Sequence, residues 1–138
     1  MKVRILLLTL ASAACALAQQ SFTVVVNKDN PATSISKSQL RKMILGDTAA
    51  WPNGAKVVIF LGPVGDAART AALKEICGMS ESDFSHQTLQ ASFSGGSKAT
   101  VKTLPAAAVR NVVAVSPGGL GIVEGTTAGG GLKILPVE

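Results

Sequence analysis

Apolar residues along the chain alternate between short continuous runs and runs at the spacing of an α-helix. Continuous runs occur in SFTVVVN, KVVIFL, GLGIV and LKILPV. Such runs are typical of strands buried on both faces of a sheet. Because helical spacing fills the segments between them, the pattern predicts an α/β fold with a short, mostly parallel sheet flanked by helices.

The first helix is predicted in SISKSQLRKMILG. Ser36 and Gln39 have the spacing of a capping box, and Gly46 follows the last helical residue. Apolar residues at helical spacing are expected to face the core, namely Leu40, Met43 and Ile44. In the turn that follows, we expect Trp51 to fold into the core rather than to form a sugar-binding or protein-binding platform.

Three further helices are predicted. The first follows KVVIFL, with Cys77 on its apolar face and Gly78 as its end. The second covers ESDFSHQTLQASF, with Phe84 and Leu89 as buried anchors. The third lies in TLPAAAVRNVVAVSPGG and turns valines inward.

The first residues have the pattern of a secretory signal peptide. Lys2 and Arg4 precede an apolar run that ends in Ala16-Leu17-Ala18, a small-x-small pattern. The run is too short to span a membrane. We therefore predict cleavage after Ala18, so that residues 19–138 form one periplasmic or secreted domain; lipidation of Cys15 is the alternative.

Composition narrows the classes of function. A formal net charge of +5 slightly favours anionic ligands, but four Phe, one Trp and no basic stripe argue against nucleic-acid binding. Cys77 is the only cysteine beyond residues 1–18, which excludes a disulfide within the mature chain. His86 is the only histidine, and no nucleophile elbow or Walker loop occurs. We therefore predict no enzyme, no cofactor and no metal site.

The segment LGPVGDAARTAALKEI is the main candidate for a binding site, because a glycine loop joins a predicted strand to a helix. The first N–H groups of a helix lack partners within the helix, and the helix dipole is positive there, so such a loop can hold an anion. The candidate ligand-binding residues are Gly62, Val64, Gly65, Asp66 and Arg69.

A second candidate anion site is the loop SGGSK. Its backbone could form an anion-binding nest, and the residues involved are Gly95, Gly96, Ser97 and Lys98. A flexible connector is the simpler interpretation of such a loop. If an anion binds at all, we expect the two loops to be neighbours around it.

Asp66 argues against an anion in the first loop. Its carboxylate would cap the N–H groups that an anion needs, and it would repel a second negative charge. Arg69, three residues later, could neutralise Asp66 or face the loop. We therefore interpret this loop as a helix cap first, with anion binding as the second hypothesis.

Three segments, in this order, resemble the phosphate-type periplasmic solute-binding proteins of ABC transporters, which have the type II periplasmic-binding-protein fold. They are ISKSQLRKMILGDTAAWPNG, VVIFLGPVGDAARTAALKEI and FSGGSKATVKTLPAAAVRNVVAVSPGGLGIVEG. With the flanking strands they cover nearly all of residues 22–136 and resemble one lobe of two. Where the family has an Arg and then Ser-Gly-Thr, this chain has Ile59-Phe60 and Val64-Gly65-Asp66.

The resemblance implies a noncatalytic protein that binds phosphate or another small oxyanion for ABC-type transport. An ABC transporter or another envelope protein is then an expected partner, and a homodimer would build a cleft from two lobes. The alternative is a degenerate lobe that acts as a protein-interaction module in the cell envelope. The altered loop and the single lobe favour this alternative.

Overall fold

The computed structural model describes residues 22–93, 100–125 and 129–138, and these residues form a sheet with helices on both faces. The strands are β1 (Thr23–Asn27), β2 (Val58–Leu61), β3 (Thr100–Thr103), β4 (Gly119–Val123) and β5 (Leu132–Ile134). The helices are α1 (Lys37–Ile44), α2 (Ala67–Ala72), α3 (Glu81–Phe93) and α4 (Ala106–Ala114), and α2 continues into a π-helical turn at Leu73–Cys77. The predicted leader, residues 1–18, lies outside the described residues.

The strand order of the sheet is β3-β2-β4-β1-β5. β2 pairs in parallel with β3 and β4, whereas β1 is antiparallel to both β4 and β5. Only β1 therefore runs against the other described strands, which confirms the prediction of a mostly parallel sheet. As a result, the carboxyl ends of β2, β3 and β4 lie at one edge of the sheet, where open α/β folds form their ligand crevices.

The two faces of the sheet bury two separate cores. Side chains alternate across a strand, so Ile59 and Leu61 of β2 join the larger core beneath α1, α2 and the start of α3. Phe60 points the opposite way and packs with Val109 and Val113 of α4. Full burial of one such apolar side chain contributes roughly 1.5–3 kcal/mol.

Three local predictions for residues 36–51 are confirmed. The Ser36 hydroxyl accepts a hydrogen bond from the Gln39 N–H at 3.1 Å, and the Gln39 side chain accepts one from the Ser36 N–H at 3.2 Å. Gly46 follows α1 with a φ of 85°. Trp51 is only 4% exposed, and its Nε1 donates to the Gly118 carbonyl at 3.0 Å.

Two features on the β3 side of the sheet differ from expectation. Leu89 is 56% exposed rather than buried, because α3 packs into the core through Phe84 while Leu89 lines an open groove beside the edge strand β3. β3 is not predicted from the sequence, because TVKT contains only one apolar residue; as an edge strand it needs less apolar burial than a central strand.

None of the helices in the described ranges is long and apolar enough to cross a membrane.

Cys77 gives a test of the packing beneath α2. It is buried as predicted, and burial raises its pKa from 9.0 to about 11, although the charge of Arg41 partly opposes the shift. We expect iodoacetamide to leave Cys77 unmodified in the folded protein at neutral pH and to label it after unfolding in urea. Mass spectrometry over a labelling time course measures this, and rapid labelling of the native protein would contradict it.

The same pKa shift predicts how stability depends on pH. The folded thiol keeps its proton up to a pH of about 11, whereas the unfolded thiol loses it near 9.0. The folded state therefore binds more protons in this range, and the free energy of unfolding should fall as pH rises through it. Urea titrations of Cys77→Ala should show a shallower fall than those of the wild type; equal slopes would contradict the prediction.

Candidate ligand-binding site

A cleft of about 210 Å³ opens at the edge where the parallel strands end. It is lined by the loop after β2, the start of α4 and the end of β4, with the residues Gly62, Asp66, Ala106, Ala107, Arg110, Ile122, Val123 and Glu124. β2 and β4 are parallel neighbours, so the topology itself places these segments together. The cleft is smaller than the roughly 300–1,000 Å³ of pockets for drug-sized ligands, and it suits a small ion or molecule.

The start of α4 gives the cleft a positive wall. The N-cap position is Pro105, and no side chain caps the helix. Ala106 and Ala107 therefore bring the first turn of an uncapped helix to the cleft. Arg110, four residues after Ala106, lies on the same side of the helix and donates from Nη2 to the Glu124 carbonyl at 2.7 Å. A helix start beside a guanidinium favours an anionic ligand.

Asp66 places a carboxylate on the opposite wall. It is the N-cap of α2, and its Oδ2 accepts a hydrogen bond from the Arg69 N–H at 3.1 Å, which confirms the cap predicted from the sequence. The side chain lies so close to Gly62 that a Cβ there would be 2.8 Å from the Asp66 Cγ. A side chain at position 62 would therefore push the Asp66 carboxylate out of its capping position. The carboxylate opposes anion binding by Arg110 and α4.

Arg69 contacts the loop after β2 but does not line the cleft. Its Nη1 donates to the Gly62 carbonyl at 3.1 Å and to Thr103 Oγ1 at 2.9 Å. Its ion-pair partner is Glu81, which accepts from Nε at 3.1 Å and also from Nη2, and not Asp66. Arg69 is 5% exposed and is absent from the lining of the cleft. The structure thus places it as a support of the loop.

The other predicted site residues fall into two groups. Val64 is 68% exposed at the tip of the loop, and Gly65 takes a φ of +91°, a conformation that glycine adopts without strain. Neither lines the cleft. The second predicted loop lies outside the described residues, so the roles of Gly95, Gly96, Ser97 and Lys98 stay predictions. In the described ranges, no group of His, Cys, Asp and Glu side chains is placed to hold a metal ion.

Sequence reasoning missed the α4 side of the cleft. A signal for it was present, since Pro105 is followed by three alanines with no Ser, Thr, Asp or Asn to cap the helix. A helix start without a capping side chain carries partial positive charge, and Arg110, four residues after Ala106, adds a full one on the same side of the helix. Its position opposite Asp66 depends on strand order, which the local pattern does not contain.

Comparisons with solved structures identify the fold. A protein from Clostridium perfringens, described as a phosphate ABC transporter substrate-binding protein and solved with bound phosphate, matches with a TM-score of 0.65 and 12% identity. The alignment covers 85% of this chain and 44% of that chain. The chain has the fold of one lobe of such a binding protein. This confirms, at the level of the fold, the resemblance found in the sequence.

Two further binding-protein structures show the same likeness. An ABC-type phosphate transport receptor from Vibrio cholerae matches with a TM-score of 0.54 and 14% identity, over 85% of this chain and 46% of that chain. A protein from Planctomyces limnophilus described as phosphate-binding matches with a TM-score of 0.61 and 17% identity, over 86% and 41% of the two chains. The chain thus spans less than half the length of each structure. No family model and no curated protein matches the sequence.

The cap at Asp66 predicts a specific pattern of stability. Asp66→Ala should lower the free energy of unfolding by about 1 kcal/mol, because the Arg69 N–H loses its acceptor. Asp66→Asn should change it by a few tenths of a kcal/mol at most, since Asn also caps well. Asp47→Ala, at an exposed turn, is the control. Urea titration measures all three; equal losses in the Ala and Asn variants at position 66 would show that the cap is not what Asp66 contributes.

Proposed function

We propose that this protein is an exported, noncatalytic binding protein that holds a small oxyanion, with phosphate as the leading ligand, for ABC-type transport. The observation that carries the proposal is the cleft at the strand ends, where Arg110 and the uncapped start of α4 form one wall. Guanidinium and helix-start N–H groups are the donors that bind oxyanions best. The fold shared with a protein solved with bound phosphate supports the same ligand class.

We expect the affinity to be modest. Asp66 and Glu124 line the same cleft and oppose an anion, and the described residues enclose a ligand there only in part, so that it stays partly hydrated. Tight recognition of a small ion requires enclosure by converging donors. The expected dissociation constant lies roughly between 1 mM and 1 μM, which corresponds to about −4 to −8 kcal/mol.

Export belongs to the proposal as well. The predicted signal peptide and the periplasmic-binding-protein fold support a periplasmic or secreted location. N-terminal sequencing of protein recovered from a periplasmic fraction should begin at Gln19. A lipidated protein beginning at Cys15 would replace this version of the proposal with the lipoprotein alternative.

Calorimetric titration with phosphate tests the cleft directly. Arg110→Ala should weaken binding by about tenfold or more, because a charged hydrogen-bond donor is lost. Arg41→Ala is the matched control: Arg41 is exposed on α1, and the change in net charge is the same. Asp66→Thr should tighten binding, since it keeps a helix cap and removes a negative charge from the cleft.

Two results would contradict oxyanion binding in this cleft. Absence of saturable heat from the wild-type protein at millimolar phosphate and sulfate would show that the protein does not bind small oxyanions of this class. Equal affinities of Arg110→Ala and Arg41→Ala would instead remove the cleft as the binding site, even if phosphate binds elsewhere.

An exposed apolar surface favours a second candidate function, a protein-interaction module in the cell envelope. Leu89 is 56% exposed and Phe93, four residues later on α3, is 85% exposed. Leu89 and Val101 line a groove of about 320 Å³ beside β3, the edge strand of the sheet. Exposed apolar groups beside an open edge are typical of contact surfaces between proteins.

A pull-down from envelope extract tests this second function. Phe93→Ser should reduce recovery of a specific partner, whether or not phosphate is present. Val115→Ser is the matched control, because Val115 is also a strongly exposed apolar residue, at 78%. Equal recovery with the two variants would argue that the α3 surface is not the contact surface.

A further inference from the structure

One nitrogen of Arg69 joins one side of the cleft to the strand that leads into the other side. The first side, the loop wall, consists of Gly62 and Asp66, and Nη1 donates to the Gly62 carbonyl at 3.1 Å. The same Nη1 donates at 2.9 Å to Thr103 Oγ1, at the end of β3. Three residues later α4 begins at Ala106, the first residue of the second side, the helix wall. A single donor therefore bridges the segments that lead into both walls.

The direction of this donor is set by Glu81. Its carboxylate accepts from both Nε and Nη2 of Arg69, and the guanidinium carbon lies 5.8 Å from the centre of the Phe84 ring. A guanidinium is planar, so a carboxylate that holds two of its nitrogens also orients the third. The Arg69 side chain is 6% exposed and that of Glu81 is 23% exposed, which limits screening of the pair by water.

We infer that Arg69 is a positioning residue for the proposed oxyanion site. Glu81 orients the guanidinium, and Nη1 then sets the spacing between the loop wall and the helix wall. A backbone bond from the Leu104 N–H to the Leu61 carbonyl, at 2.9 Å, already joins the two strands, and Arg69 adds a second link, from Gly62 in the loop wall to Thr103 at the end of β3. The inference rests on the proposed function, because the spacing matters only if a ligand binds between the walls.

Glu81→Gln tests the inference more cleanly than a change at Arg69, whose loss could unfold the protein. Glu75→Gln is the matched control, since Glu75 is exposed and the same negative charge is removed. Electrostatics alone would leave phosphate binding unchanged or slightly tighter in both variants. If Glu81 orients Arg69, Glu81→Gln should instead weaken phosphate binding by about three- to tenfold, which is the size of one lost hydrogen bond.

Amide hydrogen exchange, followed by NMR without ligand, gives a second measurement. Asp66 N–H bonds to the Pro63 carbonyl and Ala108 N–H bonds to the Pro105 carbonyl, so each reports on one wall. In Glu81→Gln both should exchange about three- to tenfold faster, while Val25 in the sheet stays within about twofold of the wild type. Glu75→Gln should leave all three rates unchanged.

Two outcomes would overturn the inference. Equal acceleration at the walls and at Val25 would mean that the ion pair stabilises the fold as a whole and positions nothing. Unchanged exchange at the walls, or phosphate binding that tightens in Glu81→Gln as in Glu75→Gln, would mean that Arg69 does not set their spacing. Failure of the wild-type protein to bind phosphate would refute the proposed function alone, since the exchange rates still decide whether Arg69 links the walls.

Discussion

The candidate site depends on a buried guanidinium whose bonds are all made within the protein. Burial of Arg69 without partners would be strongly unfavourable, so Glu81, Gly62 and Thr103 must keep their places around it. Those partners belong to three different segments of the chain, which the sheet topology brings together. Glu81 is partly exposed, so water can replace part of its interaction with Arg69, whereas loss of Arg69 itself would leave several buried acceptors without a donor. The position of the loop after β2 is therefore fixed by contacts between residues that are distant in the sequence.

The two walls of the cleft act on an anion with opposite signs. At about 5 Å and an effective dielectric constant near 20, one unit charge contributes roughly 3 kcal/mol, so Arg110 and Asp66 nearly offset each other at similar distances. Glu124 adds a second carboxylate to the lining, whereas the N–H groups at the uncapped start of α4 add to the attraction. The cap of α2 does not require this offset, because Ser or Thr at position 66 would also accept from the Arg69 N–H without a charge. The negative charge itself therefore acts on two things, the dipole of α2, which it stabilises, and an anion in the cleft, which it repels.

Local features of the fold were predictable from the sequence, and long-range ones were not. The capping box at Ser36 and the N-cap at Asp66 each join residues three positions apart, so both partners of each hydrogen bond can be recognised in a short stretch of sequence. Helical spacing places Leu89 on an apolar face of α3 but does not indicate how far the sheet extends beneath that face, so it does not predict that Leu89 is exposed. The partners of Arg69 lie up to 34 residues away, and Arg110 meets the loop wall only through the order β3-β2-β4. These contacts follow from the strand order of the sheet. The resemblance to a known fold implies such an order, whereas the periodicity of apolar residues does not.

Enclosure would change this balance more than any single ligand contact. A second surface over the cleft would exclude water, and the lower dielectric would strengthen the attraction of Arg110 and the repulsion of Asp66 together. The side-chain charges together, with Glu124 included, would not favour an anion, whereas the N–H groups at the start of α4 would bind it more strongly, because their competition with water ends. Oxyanion affinity in an enclosed site would therefore depend mainly on how closely the helix wall and the loop wall approach the ligand. That distance is a property of the segments joined by Arg69, which makes the spacing of the walls as important to binding as the charges that line them.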